Sequence, residues 1–462
     1  MTRAILLAVI ALFGAGPVCA QSLQQRIDAA EPGATIAVEP GVYGPISVDR
    51  PLTLIGAGGA IIDAGGEGDA IAITAPDVTI RGFTIRGTGK SLDRENAGVV
   101  VTAGRARIEA NHLEDVLFGI YLKEAPDSVI RANVIGAMDL PLPRRGDGVR
   151  LWQSPGCLIE DNRIRGSRDA VMWFSNNVTL RRNHVSHGRY GMHFMYSDDN
   201  VLEDNVLEDN SVGAFLMYSK NLTLRRNIFA RNRGPSGFGV GLKDMDGLLA
   251  EGNLFVGNRV GLHLDNSPSA VGVEHMIRGN VFGFNDIGVA FMPSVSGNVF
   301  TENAIVDNIE QIAILGSGML EGNAFAAGGR GNYWSDYQGF DLDRDGVGDI
   351  EYRAEGIFEN LIDREPLMRL FLFSPAQHAI ESAARAFPVV APRPKIVDPA
   401  PLMRNAQAGP PPATIAAAQP SSGSTAPVAA ALLAAGLLCA APIARSRAER
   451  ALTRPQLEVA HD

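Results

Sequence analysis

Methionine and histidine residues recur at similar positions in successive segments of this chain. Seven segments begin with a small residue and continue with a short apolar stretch, as in Gly191-Met-His-Phe-Met195. Successive side chains of a β-strand point to opposite faces, so the second and fourth residues after the small one are predicted to lie outside. This alignment places the following residues in two outer columns: Met172, His193 and His263 in the first, and Met195, Met217, Met245, Asp265 and Met292 in the second.

Thioether and imidazole groups are ligands that favour Cu(I) over hard cations. With neighbouring strands about 4.8 Å apart, Met195, Met217 and Met245 would form a continuous row beside His193. A row of weak sites suits a metal ion that is passed on. The alternative is a methionine-rich docking surface, because flexible methionine side chains are common at adaptable interfaces. The residues alone leave both interpretations open.

A second group of candidate ligands is acidic. Asp341, Asp343, Asp345 and Asp349 occupy positions 1, 3, 5 and 9 of a loop with Gly at position 6, which matches much of a Ca²⁺-binding loop. Tyr352 stands at position 12, where a bidentate Glu is expected. The pattern predicts a calcium site, and the alternative is an acidic turn held by its own Asx hydrogen bonds.

Acid and base groups for polysaccharide chemistry are a third possibility. The pairs Asp198-Asp199 and Arg144-Arg145 could serve such a reaction. The sequence has no Asp-Pro-His run and no clustered carboxylate set of the kind that β-helix epimerases and hydrolases of polysaccharides carry. The sequence therefore favours a non-enzymatic protein, with a polysaccharide lyase or epimerase as the alternative.

The elements that position these residues follow from an asparagine repeat with a spacing of 20 to 29 residues. An apolar residue follows each Asn by two positions. Apolar residues thus alternate with a period of two that a bend interrupts, which is typical of short strands wound into a coil. We therefore predict an all-β, right-handed parallel β-helix over residues 21–335, with each Asn in a left-handed bend and hydrogen-bonded to the Asn above and below. The repeated residues are Asn111, Asn133, Asn162, Asn183, Asn205, Asn227, Asn253, Asn280, Asn303 and Asn323.

The two ends of the chain differ from the repeat. Residues 1–20 have the charge, apolar core and small-residue end of a secretory signal peptide. Leu23 to Ala30 is predicted to be a helical cap of the solenoid. After the repeat, we expect an acidic loop and closing segment (336–365), a helical tail (366–408), a Pro/Ala/Ser linker (409–427) and an apolar stretch that could anchor the chain in a membrane (428–444).

Charge and cysteine content narrow the choice of partners. The formal net charge is −10 and no basic stripe is present, so nucleic acid is not an expected partner. Cys19 falls in the signal peptide and Cys439 in the apolar tail. Cys157 is thus alone in the folded region and is predicted to fill the core.

Two segments carry a resemblance to a known family. The run Arg189-Tyr-Gly-Met-His-Phe-Met-Tyr-Ser-Asp-Asp-Asn200 and the closing Gly331-Asn-Tyr-Trp-Ser-Asp-Tyr337 with its acidic loop resemble the NosD family of nitrous oxide reductase maturation proteins. The resemblance covers about Gln21 to Met368. It implies a periplasmic, non-enzymatic factor that takes part in assembling the copper centres of that reductase.

The resemblance also implies partners: an ABC transporter made of a membrane subunit and an ATPase, apo nitrous oxide reductase, and a copper-donating chaperone. It favours the copper interpretation of the two columns, with copper as Cu(I), but it assigns no individual ligand. The remaining alternative is a docking module of the transporter that binds no metal.

Overall fold

In the computed structural model, the structure describes residues 21–316, 320–355, 358, 361–362, 365–372, 374–386 and 394–405. The predicted signal peptide, linker and apolar anchor lie outside these residues. Within them, no helix is both long and apolar enough to cross a membrane.

The repeat forms a parallel β-helix of right-handed type with about 12 turns, which confirms the predicted all-β solenoid. Each turn contributes one strand to each of three parallel sheets, named here sheets 1, 2 and 3 in chain order. The strands of sheet 1 are Thr35–Val38, Thr53–Gly56, Thr79–Arg81, Arg107–Glu109, Val129–Arg131, Leu158–Glu160, Thr179–Arg181, Val201–Glu203, Thr223–Arg225, Leu249–Glu251, His275–Arg278 and Asn298–Thr301.

The other two sheets follow the same order. The strands of sheet 2 are Gly41–Tyr43, Ala60–Asp63, Thr84–Arg86, His112–Val116, Val134–Ala137, Arg163–Arg165, His184–Ser186, Val206–Glu208, Ile228–Ala230, Leu254–Val256, Val281–Gly283, Ala304–Val306 and Tyr333–Trp334. The strands of sheet 3 are Ile46–Val48, Ile71–Ile73, Ala97–Val101, Phe118–Lys123, Val149–Trp152, Asp169–Trp173, Tyr190–Met195, Val212–Met217, Phe238–Lys243, Val260–Asp265, Ile287–Phe291 and Glu310–Ile314.

A buried asparagine ladder joins the turns at the corner between sheets 1 and 2. In Asn205, for example, the backbone N–H and the side-chain amide both donate to Oδ1 of Asn227, at 3.0 and 2.9 Å. The predicted hydrogen bonding between stacked Asn side chains is thus observed, but the left-handed backbone belongs to the preceding residue, as in Asp204 (φ 55°). The last member is also different: Asn303 donates to Asn332, whereas Asn323 accepts from Asn298 in a neighbouring row.

The outer face of sheet 1 carries alternating charges. In a parallel, in-register stack, identical charges would lie directly opposite one another and repel. Here each carboxylate lies between two guanidinium groups of neighbouring turns; Glu160, for example, contacts Arg131 and Arg181 at 2.5 and 2.6 Å. The members are Arg81, Glu109, Arg131, Glu160, Arg181, Glu203, Arg225, Glu251 and Arg278. The charges on this face therefore pair with one another.

At the N-terminal end, the helix Leu23–Asp28 begins with a capping box between Ser22 and Gln25. Its Leu23 and Ile27 side chains are buried in the main core. A 3₁₀ turn, Leu142–Arg144, lies in a loop between sheets 2 and 3. Cys157 is buried in the core as predicted.

At the C-terminal end, the described part of the tail contains a 3₁₀ helix, Pro366–Phe371, and an α-helix, Pro375–Ala386. The tail is not helical throughout, because Val397–Asp398 forms an antiparallel pair with Tyr352–Arg353. Asp398 takes the place of the next asparagine in the ladder. Its Oδ2 accepts from the backbone N–H of Asn332 (2.7 Å) and from Trp334 Nε1 (2.9 Å).

Candidate functional site

The outer face of sheet 3 holds the histidines and methionines singled out by the sequence. One outer column runs through Val171, His193, Phe215, Gly241 and His263, and the next runs through Trp173, Met195, Met217, Lys243 and Asp265. The predicted outward placement of His193, His263, Met195 and Met217 agrees with this register. Met195 and Met217 lie directly opposite each other on adjacent strands and are both partly exposed.

Met172 was predicted to lie outside, but it is fully buried in the core. The sequence alignment began at the small residue Ala170, whereas the structure pairs Ala170 with Val149 and therefore gives the small-residue position to Asp169. This shift of one residue reverses the face of every side chain in the strand. Trp173 therefore lies outside, directly opposite Met195.

Met245 does not continue the row of thioethers. Lys243 is the residue opposite Met217, because Gly239 and not Gly241 is equivalent to Gly213. The chain then turns at Asp244 (φ 48°), and Met245 enters the core, where it is fully buried. Met292, at the far end, is half-buried and packs against the core. The row of adjacent outward methionines thus consists of Met195 and Met217 alone within the described residues.

His193 is the most unusual polar group of this face. The residue is almost fully buried, at 6% exposure, and neither ring nitrogen has a hydrogen-bond partner among the described residues. The ring lies edge-on to Tyr190 and Trp173, with centroids 5.1 and 6.4 Å away. Buried polar atoms nearly always have a partner, so two unpartnered ring nitrogens beside outward methionines make His193 a candidate metal ligand.

A buried charged group, which the sequence pattern did not reveal, borders His193. The Asp169 carboxylate is 1% exposed and lies 3.6 Å from His193 Nδ1. Arg189 Nε donates to it at 2.9 Å. Burial alone would raise the pKa of Asp169, but His193 and Arg189 stabilise the carboxylate and hold its pKa below the ordinary value. The sequence could have revealed Asp169 in one way, because this residue occupies a position of the repeat where other turns have a small residue.

One turn earlier, Asp147 is equally buried and pairs with Arg168 at 3.1 Å. Burial raises the pKa of Asp147 to about 6. The Arg150 guanidinium lies nearby, 5.0 Å from the ring centroids of both Tyr121 and Trp173.

His263 forms a second, separate position in the same column as His193. Its ring stacks on Phe238, with centroids 4.3 Å apart, and its Nδ1 has no hydrogen-bond partner among the described residues. Burial lowers the pKa of His263 to about 4, so the ring is neutral at pH 7. A neutral imidazole is the form that binds metals. Asp265, two residues on, pairs with Lys243 at 3.4 Å.

An aromatic row borders the methionines at the next corner of the solenoid. Phe174, Tyr196 and Tyr218 stack with nearly parallel rings at 5.2 and 5.1 Å, and all three have left-handed backbones. Phe174 and Tyr196 are nearly half exposed. Such a surface suits contact with a protein partner as well as protection of a metal ion.

The acidic loop lies elsewhere, in the closing segment. Carboxylate oxygens of Asp341, Asp343 and Asp345 lie within 4.8 Å of one another. Asp349, the fourth predicted ligand, accepts from the backbone N–H of Leu342 at 2.6 Å, and Asp341 accepts from Gly346. The loop is therefore held by Asx hydrogen bonds, and it also places three carboxylates close together.

Comparisons with known proteins agree with this architecture. Among solved structures, the A-module of mannuronan C-5 epimerase AlgE6 from Azotobacter vinelandii aligns with 68% of this chain and 94% of its own, with a TM-score of 0.54 and 17% identity. The catalytic domain of an α-1,3-glucanase aligns with 68% of each chain, with a TM-score of 0.50 and 12% identity. At such low identity these similarities show the shared fold alone.

Sequence relatives are more specific. A protein of Pseudomonas aeruginosa named "Probable ABC transporter binding protein NosD" is 31% identical over 80% of this chain and 88% of its own. A protein of Stutzerimonas stutzeri with the same name is 30% identical over 78% and 84%. The family model described as "Periplasmic copper-binding protein (NosD)" matches residues 135–339, a range that contains the His193 site. The chain therefore belongs to the NosD family of periplasmic copper-binding proteins.

Proposed function

We propose that this protein receives Cu(I) in the periplasm at His193, Met195 and Met217 and delivers it to apo nitrous oxide reductase. One observation carries the proposal: His193 is buried, neither of its ring nitrogens has a hydrogen-bond partner among the described residues, and two outward methionines lie beside it. Imidazole and thioether groups together form a soft, weakly binding set that suits Cu(I) and its release.

The surrounding side chains support transient binding. His193 and Met195 are two residues apart on one strand, which places them about 7 Å apart along the same face. Flexible methionine side chains can span such a distance to a shared ion. Trp173, opposite Met195, and Phe215, opposite His193, restrict access of water to the site. His263 and Met292 are the second-choice ligands on the same sheet.

The partners follow from the family. Relatives are named ABC transporter binding proteins, and we propose a complex with the transporter's membrane subunit and ATPase, loaded by a copper-donating chaperone. The aromatic row of Phe174, Tyr196 and Tyr218 lies next to the methionines and would serve contact with the donor or the reductase. Tethering through residues 428–444 and calcium binding by the acidic loop remain predictions.

The test is a Cu(I) titration of the purified protein against a competing chelator. The Met195→Leu/Met217→Leu variant removes both sulfur atoms and keeps side-chain volume, and His193→Gln removes the imidazole. A matched control is Met276→Leu, which changes an outward, half-buried methionine on sheet 1. We also expect Met172→Leu and Met245→Leu to bind like the wild type, because both residues are core residues.

We expect one Cu(I) ion to bind per molecule of the wild type and of the controls. The site variants should bind it at least about tenfold more weakly, a difference of about 1.4 kcal/mol. Equal binding by the site variants and the controls would refute these ligands. No binding by any of them would leave the protein as a docking module of the transporter.

A further inference from the structure

The relation between His193 and the buried Asp169 goes beyond the choice of ligands. We infer that Asp169 is a positioning residue: its carboxylate accepts a hydrogen bond from His193 Nδ1–H and leaves Nε2 to bind copper. This inference rests on the proposed function, in which His193 is a ligand. Ligand histidines commonly donate their second ring N–H to a carboxylate, which fixes the tautomer and the ring orientation.

His193 and Asp169 are slightly too far apart for a hydrogen bond, and a small shift of the ring would form one. His193 Nδ1 lies 3.6 Å from Asp169 Oδ2, and a hydrogen bond needs a separation of about 3.2 Å or less. Among the described residues, the Asp169 carboxylate is the charged acceptor that lies beside this nitrogen. Nε2, which also has no partner among the described residues, is then the nitrogen available to a metal.

Asp169 is held firmly enough to serve this purpose. The Arg189 guanidinium donates to both carboxylate oxygens: Nε donates to Oδ1 at 2.9 Å, and an NH2 group donates to Oδ2. The backbone N–H of Tyr190 also donates to Oδ1, at 3.2 Å. These bonds leave the carboxylate charged and its orientation fixed, so the ring must adapt to it.

The ring of His193 is confined as well. Tyr190 and Trp173 lie edge-on to it at interplanar angles of 80° and 73°, one on the same strand and one on the neighbouring strand. Such edge-to-face contacts restrict rotation of the imidazole. A carboxylate that fixes the tautomer and two aromatic rings that fix the plane would together hold Nε2 ready for copper.

The chain offers a matched control. Asp147 occupies a buried position one turn earlier, also 1% exposed, and is paired with Arg168 in the same way that Asp169 is paired with Arg189. Replacing Asp147 removes a buried carboxylate of the same kind, whereas, within the described part of the chain, Asp169 is the carboxylate that lies within ion-pair distance of His193.

The experiment measures Cu(I) affinity by chelator competition for Asp169→Asn and Asp147→Asn, each in the wild-type and the His193→Gln backgrounds. Loss of a group that orients a metal ligand typically weakens binding about 10- to 100-fold, which we expect for Asp169→Asn in the wild-type background. In the His193→Gln background Asp169→Asn should have no further effect, because Asp169 acts through the imidazole. We expect Asp147→Asn to bind like its parent in both backgrounds.

A second measurement needs no copper. Nitrogen NMR of histidine-labelled, copper-free protein reports which ring nitrogen of His193 carries the proton. We expect the Nδ1–H tautomer in the wild type and a shift toward Nε2–H in Asp169→Asn. Should Asp169→Asn fail to fold, Arg189→Lys replaces it, because lysine keeps the charge but lacks the two-pronged contact.

The outcomes separate the two proposals. An Nε2–H tautomer in the wild type, or an equal loss of affinity in both backgrounds, would overturn the role of Asp169. If the wild type binds no Cu(I) but shows the Asp169-dependent Nδ1–H tautomer, the contact stands and the proposed function fails.

Discussion

Asp398 ends the asparagine ladder, and its replacement should loosen the last turns of the solenoid alone. Its side chain is fully buried and accepts from Asn332 N (2.7 Å), Trp334 Nε1 (2.9 Å) and, through Oδ1, Ala400 N (3.0 Å). Asp398→Ala leaves at least the first two of these buried donors without an acceptor. At about 1 to 3 kcal/mol for each unsatisfied donor, these two donors should cost about 2 to 6 kcal/mol of local stability.

Hydrogen exchange is the suitable assay, because turns of a solenoid interact mainly with their neighbours and a long array need not unfold in one step. A loss of about 3 kcal/mol corresponds to roughly a hundredfold faster exchange. We expect this change in peptides around Asn303 and Asn332 and no change around Asn205. The control Asp204→Asn removes the charge from an exposed ion pair with Arg226, and Asn tolerates the left-handed backbone at this position, so it should cost less than about 1 kcal/mol. Unchanged exchange around Asn332 in a folded Asp398→Ala protein would refute this account of how the solenoid ends.

Three further outcomes are expected. Burial lowers the pKa of His275 from 6.5 to about 4. Between these two pH values His275 is protonated in the unfolded chain but not in the folded protein. The free energy of unfolding should therefore fall as the pH drops from 6.5 towards 4, by about 2 kcal/mol between pH 7 and pH 5. Urea unfolding of His275→Gln should lack this share of the acid sensitivity, and an identical pH dependence in both proteins would contradict it. Burial raises the pKa of the Cys157 thiol to about 12, so a thiol reagent should modify Cys157 only after unfolding, as peptide mapping would show; rapid labelling of the native protein would mean that the core opens there. Calorimetry should detect Ca²⁺ binding at about 10⁻⁴ to 10⁻³ M, typical of extracellular sites, and Asp343→Asn should weaken it while Asp286→Asn should not; equal heats for all three proteins would leave the loop as an Asx-bonded turn.

The sequence by itself determined the repeat and its consequences. The asparagine spacing and the alternation of apolar residues predicted a parallel β-helix, because stacked repeats bury the apolar faces that each repeat alone leaves open. The same alternation placed His193, Met195 and Met217 outside. It could also have revealed the Glu/Arg alternation on sheet 1, since Glu109, Arg131, Glu160 and Arg181 each stand two residues before a ladder asparagine.

Only the tertiary structure decided what depends on register and on contacts distant in sequence. Met172 and Met245 are core residues because Asp169 takes the place of a small residue and the chain turns at Asp244, and neither shift is visible when segments are aligned on glycine or alanine. Asp398 reaches Asn332 across 66 residues, and Asp169 meets His193 from the neighbouring turn. A local pattern specifies the face of the sheet on which a side chain lies. The residue opposite it on the next strand depends on the number of residues in the loops of each turn.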